Sequence, residues 1–113
     1  MMTTRTFQYL DTLIAFPTVS RDSNLALIEY VRHELDMLDI ESTLVPSEDG
    51  RKANLFATLG PERDGGFVLS GHTDVVPVDG QKWSSDPFAG DINRKFSQVA
   101  SMAFWPANVR VLL

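Results

Sequence analysis

Residues 69–88, LSGHTDVVPVDGQKWSSDPF, mark a change from apolar to polar character along the chain. The apolar run that enters this stretch ends at His72 and Asp74, and a loop rich in proline, glycine and aspartate follows. Residues two apart in a strand point to the same face of a sheet. Ligands of open α/β sheets bind at the carboxyl ends of the strands. The stretch therefore predicts a strand that ends at a candidate site.

The His-x-Asp pair has two interpretations. Neutral imidazole is a good zinc ligand, and a nearby carboxylate can hold its tautomer and raise its basicity. Alternatively, His72 is a hydrogen-bonded polar residue at a strand end entering a turn. Zinc takes three or four protein ligands, and the chain has one other histidine, His33. We interpret His33 as an exposed helical residue whose cationic form suits the helix C-terminal half.

Two segments that precede this stretch show the periodicity of amphipathic helices. The first covers residues 4–16 and is ended by Pro17. Ser23 is the predicted N-cap of the second, which runs to about Leu38. The apolar stripe of the second helix is the strongest periodic signal in the chain and consists of Leu25, Ile28, Val31, Leu35 and Leu38.

Three short apolar segments are predicted as β-strands, at residues 42–45, 54–60 and 67–71. The linking sequences PSEDGRK (46–52) and PERDGG (61–66) contain the proline, aspartate and glycine typical of turns. Two helices followed by several strands indicate an α/β fold class, with the helices packed on a mixed β-sheet.

Composition limits the classes of function. A chain of 113 residues suffices for one modest domain, and its net charge of −5 argues against binding to nucleic acid or to an anionic membrane. The absence of cysteine excludes disulfides and thiolate metal sites. The N-terminal sequence resembles neither a signal peptide nor a membrane span. A cytoplasmic location is the resulting expectation.

The last part of the chain differs in charge from the rest. All 15 acidic residues lie in residues 1–91, and residues 92–113 contain none. We interpret residues 92–113 as a divergent tail. It is either a buried strand or a segment translated from a shifted reading frame.

Three quoted segments together resemble the zinc-dependent M20 family of amidohydrolases, aminoacylases and peptidases. Residues 65–88, GGFVLSGHTDVVPVDGQKWSSDPF, are similar to the first metal-binding motif of that family. Residues 13–35, LIAFPTVSRDSNLALIEYVRHEL, and residues 50–61, GRKANLFATLGP, resemble its first helices and its first strand pair. The resemblance covers roughly residues 5–88 and identifies residues 1–91 as a partial M20 catalytic domain.

The resemblance implies specific roles at the candidate site. His72 would be a ligand to one metal of a two-metal centre that holds zinc or cobalt. Asp74 would be the catalytic acidic residue that hydrogen-bonds to this imidazole and tunes it. The substrate would be an N-acyl amino acid, and the full-length family is expected to form homodimers. Trp83 and the Pro87-Phe88 pair would have packing roles, and Asp79 and Asp86 would be turn carboxylates.

Within the family, the sequence favours the branch that deacetylates N-acetylornithine to ornithine and acetate in arginine biosynthesis. Succinyl-diaminopimelate desuccinylase is the alternative because it shares the His-Thr-Asp-Val-Val-Pro segment. After residue 88 the chain departs from the family, whose Gly-Arg-Gly-x-x-Asp-Met-Lys-Gly motif is absent. The catalytic domain is therefore expected to be incomplete and inactive alone. A hypothesis of another class is a non-catalytic domain that binds a partner through a hydrophobic patch formed by Phe96, Phe104, Trp105 and Leu112-Leu113.

Overall fold

The computed structural model describes residues 4–61 and 64–90, which contain two α-helices and two β-strands. They are α1 (Thr4–Ile14), α2 (Leu25–Asp36), β1 (Ser42–Pro46) and β2 (Ala53–Ala57). The described residues fall into two units. Residues 4–21 and 74–90 form the α1 unit, and residues 22–61 and 64–73 form the hairpin unit. The predicted tail, with its aromatic residues, lies outside the described residues.

The hairpin unit is built from α2 and an antiparallel pair of strands. β1 and β2 pair in a register that sets Leu44 opposite Leu55. Helix α2 packs against both strands. Its apolar stripe contributes Ile28, which is fully buried, and the core also includes Leu27, Ala53 and Leu55. Burial of these side chains is the main stabilising term, since apolar area is removed from water.

The turn between β1 and β2 is organised by Ser47. Its hydroxyl donates to Asp49 Oδ1 at 2.7 Å and accepts the backbone N–H of Lys52 at 3.0 Å. Asp49 Oδ1 also accepts the backbone N–H of Arg51 at 3.1 Å. Gly50 has a φ of 66°, a left-handed conformation that glycine adopts without strain. The turn predicted from PSEDGRK is thus confirmed with a specific hydrogen-bond pattern.

The α1 unit joins the first helix to the loop that follows it and to residues 74–90. Ile14 is buried at the end of α1, and Thr18 and Val19 are buried in the loop. Val19 forms a parallel bridge with Val75, which is also buried. Backbone bonds from Val75 N–H to the Thr18 carbonyl (3.0 Å) and from Ser20 N–H to the Val75 carbonyl (2.9 Å) make this bridge.

The predicted strand at 67–71 is wrong. Residues 65–74 have no regular secondary structure, and the described residues contain one antiparallel strand pair where a mixed sheet was predicted. A strand exists only when neighbours take its hydrogen bonds, and the described chain provides none for this segment. The expectation that both helices pack on the sheet is confirmed for α2, while α1 belongs to the other unit. The described residues thus have a small α/β arrangement of two helices and one antiparallel strand pair.

The helices are shorter than predicted, and the cap of α2 differs. The first helix ends at Ile14 and the second at Asp36. The N-cap is Asn24, while the hydroxyl of the predicted cap, Ser23, accepts the N–H of Leu25 at 3.2 Å. Neither of the helices in the described part of the chain has the length and hydropathy needed to cross a membrane.

Candidate functional site

His72 lies in the hairpin unit, in the irregular segment that precedes Val75. Its side chain is exposed, so its imidazole can be reached by a solute from the solvent. The second histidine, His33, is exposed in the last turn of α2, as predicted. The two imidazoles thus occupy different local settings, one on a helix and one on an irregular segment.

Asp74 lies in the α1 unit and is held by Ser20. The Ser20 hydroxyl is 2.9 Å from Asp74 Oδ2, to which it donates. The backbone N–H of Ser20 donates to the carbonyl of Val75, the residue that follows Asp74. The loop at residues 16–20, Phe-Pro-Thr-Val-Ser, therefore fixes both the backbone beside Asp74 and one oxygen of its carboxylate.

Thr73 is held within the hairpin unit by a residue that sequence reasoning missed. Asn24 Nδ2 donates to Thr73 Oγ1 at 3.3 Å and to the carbonyl of Ala53 at 2.9 Å. Asn24 Oδ1 accepts the N–H of Ala53 at 3.0 Å. The local signal predicted Ser23 as the cap of α2 and gave no indication that Asn24 has these distant partners.

Arg21 and Asp79 form an exposed ion pair within the α1 unit. Arg21 Nη2 donates to Asp79 Oδ2 at 2.5 Å, with more than half of each side chain exposed. This hydrogen bond, together with the guanidinium charge, lowers the pKa of Asp79 below its ordinary value of 3.8. Asp79, which was predicted to be a turn carboxylate, thus has Arg21 as a partner. The pair fixes the loop after Val75 to the segment before α2.

The other residues that the sequence singled out have structural contacts in this unit. Asp86 Oδ1 accepts the backbone N–H of Phe88 at 2.9 Å, which confirms a turn role. Trp83 is half-buried, and its Nε1 donates to the carbonyl of Val78 at 3.2 Å. Pro87 and Phe88 are also half-buried, consistent with the predicted packing roles.

The donor set for a metal is small. Within residues 4–61 and 64–90, no three His, Asp or Glu side chains are grouped so that they could hold a metal ion. His72 belongs to the hairpin unit and Asp74 to the α1 unit. The described chain therefore offers an accessible imidazole and an anchored carboxylate, which is fewer ligands than zinc requires.

Comparison with known proteins identifies relatives but no defined family model. No family model matches the chain, and no solved structure matches it. The chain is 43% identical over 88 residues to acetylornithine deacetylase of Pasteurella multocida, an alignment that covers 72% of this chain and 23% of that protein.

Two further relatives have the same name. Acetylornithine deacetylase of Proteus mirabilis is 42% identical over 83 residues, covering 67% of this chain and 21% of the relative. Acetylornithine deacetylase of Buchnera aphidicola is 34% identical over 94 residues, an alignment that covers 74% of this chain and 24% of the relative. The predicted resemblance to the branch that deacetylates N-acetylornithine is thus confirmed, because these relatives are named acetylornithine deacetylase. The chain spans less than a quarter of the length of these curated relatives.

Proposed function

We propose that the chain corresponds to the N-terminal part of an M20-type metal-dependent amidohydrolase that converts N-acetylornithine to ornithine and acetate. The observation that carries this proposal is the 43% identity to a protein named acetylornithine deacetylase. The recurrence of that name among relatives of 34–43% identity favours it over succinyl-diaminopimelate desuccinylase. The pathway assignment is arginine biosynthesis, and the whole protein acts as a homodimer.

In this proposal His72 is a metal ligand and Asp74 is the acidic residue that orients and tunes its imidazole. One exposure and one contact support these roles. The exposure of His72 leaves its ring accessible, and the hydroxyl of Ser20 fixes one oxygen of Asp74 while the carboxylate stays near the surface. A carboxylate that accepts the second ring N–H of a ligating histidine sets its tautomer and raises its basicity.

The metal itself needs more donors than the described residues hold. His72 suits zinc or cobalt because neutral imidazole ligates both, and the remaining ligands must come from outside residues 4–61 and 64–90. When bound, such a cation supplies Lewis-acid polarisation of the scissile amide carbonyl. The contribution of this chain is to present the imidazole and to hold the carboxylate.

The 113-residue chain by itself is proposed to be inactive. One imidazole and one carboxylate cannot supply the affinity of a full ligand set, nor the general base that amide hydrolysis requires. The proposed activity therefore belongs to a longer polypeptide that includes the region represented here.

The test is a hybrid in which residues 1–88 of this chain replace the matched segment of the Pasteurella multocida protein. We expect the hybrid to hydrolyse N-acetylornithine and to act poorly on succinyl-diaminopimelate. His72→Ala should lower kcat/KM by about 100-fold or more, since even the loss of a residue that only orients a metal ligand costs about 10–100-fold.

His33→Ala is the matched control and should leave kcat/KM within about twofold, because His33 is an exposed helical residue. A hybrid that is equally active with and without His72 would exclude the proposed ligand. Preferential hydrolysis of succinyl-diaminopimelate would instead assign the chain to the other branch. DNA downstream of codon 88 that restores the Gly-Arg-Gly motif in a shifted frame would support the frameshift hypothesis for residues 92–113.

A further inference from the structure

The side-chain amide of Asn24 connects two distant parts of the hairpin unit. Its Oδ1 accepts the N–H of Ala53 at 3.0 Å, and its Nδ2 donates to the Ala53 carbonyl at 2.9 Å. Nδ2 also donates to Thr73 Oγ1 at 3.3 Å. An asparagine amide has two N–H donors, and each has its own acceptor here. Asn24 therefore joins the start of β2 to the residue that follows His72.

The backbone groups of Ala53 are available to Asn24 because of the strand register. Ser47 N–H donates to the Lys52 carbonyl at 2.9 Å, which makes these residues a hydrogen-bonded pair. The two kinds of pair alternate in an antiparallel ladder, so Pro46 and Ala53 are a non-hydrogen-bonded pair. The N–H and carbonyl of Ala53 consequently face away from β1. The Asn24 amide satisfies both of them, as a neighbouring strand would.

Asn24 makes these bonds in place of its usual role at a helix start. It is the N-cap of α2, and its backbone carbonyl accepts the N–H of Ile28 at 3.0 Å, yet its side chain makes no capping hydrogen bond. An N-cap asparagine normally accepts an N–H of the first helical turn, which stabilises the helix. A residue that departs from such a local rule points to a constraint elsewhere in the structure.

We propose that Asn24 is a positioning residue for His72 and acts through Thr73. The inference rests on the proposed function, in which His72 binds a metal. His72 lies in an irregular segment, so its backbone has no sheet or helix to fix it. The hydrogen bonds of Asn24 to Ala53 and to Thr73 connect Thr73 to β2. Because Thr73 is adjacent to His72, these bonds limit the positions that the His72 imidazole can take. A ligand held in place before the metal arrives loses less conformational freedom on binding.

The test uses NMR of the 113-residue chain and its variants. Asn24→Asp keeps the size of the side chain and the acceptor for Ala53 N–H but removes both donors. Thr73→Val removes only the Thr73 hydroxyl, and Thr73→Ser retains it. Asn54→Asp is the matched control, because Asn54 is exposed on β2 and the change in charge is the same. The measurements are amide hydrogen exchange and backbone order parameters at Ala53, His72 and Thr73.

We expect Asn24→Asp to speed amide exchange about tenfold at all three residues, including Ala53, because the new carboxylate oxygen repels the Ala53 carbonyl and so weakens the remaining contact. Thr73→Val should speed exchange and lower the order parameters at His72 and Thr73 while Ala53 stays protected, and Thr73→Ser should restore the original values. Asn54→Asp should change none of them. If Thr73→Val leaves His72 as ordered as before, Asn24 serves only the packing of α2 on β2 and the proposal is overturned.

A titration with zinc chloride separates this proposal from the proposed function, and it is carried out on the metal-free hybrid enzyme, whose Pasteurella multocida part supplies the remaining ligands. The ring signals of His72 are followed during the titration, and those of His33 report binding to an ordinary exposed histidine. A His72 ring that responds to zinc no more than His33 counts against the metal role. The effect of Thr73→Val on the order of His72 would still establish, or overturn, the positioning by Asn24.

Discussion

At the scale of single residues, the exposed pair Arg21–Asp79 makes a prediction about pH. The guanidinium lowers the pKa of Asp79, so the folded chain binds this proton more weakly than the unfolded chain does. The pair thus stabilises the fold at pH values above the ordinary pKa of 3.8, and the stabilisation is lost as the pH falls through the lowered pKa. Arg21→Gln should raise the pKa of Asp79 towards its ordinary value.

The measurement is an NMR titration of the Asp79 carboxyl carbon between pH 2 and pH 6. Arg32→Gln is the matched control, because Arg32 pairs with Glu29 on α2 and the variant should leave the Asp79 titration unchanged. An identical Asp79 titration in Arg21→Gln and the original chain would show that the ion pair does not form in solution. The effect on stability should be small, since exposed pairs are screened by solvent.

Gly50 gives a second prediction at this scale. Its φ of 66° is unfavourable for residues with a Cβ atom, and an added Cβ would meet no atom within 4 Å. The cost of Gly50→Ala is therefore conformational, and we expect the free energy of unfolding to fall by about 1 kcal/mol. Urea denaturation measures the change, and Glu48→Ala in the same turn is the control. Equal stability of Gly50→Ala and the original chain would contradict the turn geometry.

At the scale of elements, helix α2 stabilises the hairpin unit mainly through Ile28. This side chain is fully buried, and α2 packs against both strands. Ile28→Ala should lower the free energy of unfolding by about 3 kcal/mol, through lost burial and the cavity that remains. Met37→Ala is the control, since Met37 is 71% exposed at the end of the helix, and should change stability by less than about 0.5 kcal/mol. Equal effects of the two variants in urea denaturation would contradict the packing of α2.

The elements that could be predicted from the sequence are those that depend on local signals. Helix α2 has a 3.6-residue apolar stripe, and the hairpin has a turn whose Asp49 and Gly50 suit their positions. The segment 67–71 has the composition of a strand, but β-propensity reflects packing against neighbours, and neighbours cannot be read from the segment itself.

For the candidate site, as for the elements, local signals could be predicted from the sequence and distant partners could not. His72 and Asp74 were singled out by their spacing and by the resemblance of the surrounding residues. Ser20 and Asn24 were not, because they contact Asp74 and Thr73 across 54 and 49 positions of sequence. Such contacts arise from the tertiary arrangement, and a single sequence contains no periodic signal for them.

At the scale of the whole molecule, the apolar segment 67–69 departs most from an ordinary soluble surface among the residues that the structure describes. Phe67 is 99% exposed, Val68 60% and Leu69 47%, so neither face of the segment is covered by the described chain. No backbone hydrogen bond joins these three residues to the rest of the described residues. Unsatisfied backbone groups beside exposed apolar side chains favour strand pairing between chains.

We therefore expect the 113-residue chain to self-associate, and Phe67→Asp to weaken that association by about tenfold or more, because a carboxylate in a strand-pairing interface must be desolvated. Sedimentation velocity at several concentrations measures the change. Met37→Asp is the matched control, since it adds the same charge to another exposed apolar position and should leave association nearly unchanged. The net charge of the original chain is −5, and each variant makes it more negative by one. If both variants lower association equally, the cause is this added negative charge, and pairing through residues 67–69 is excluded.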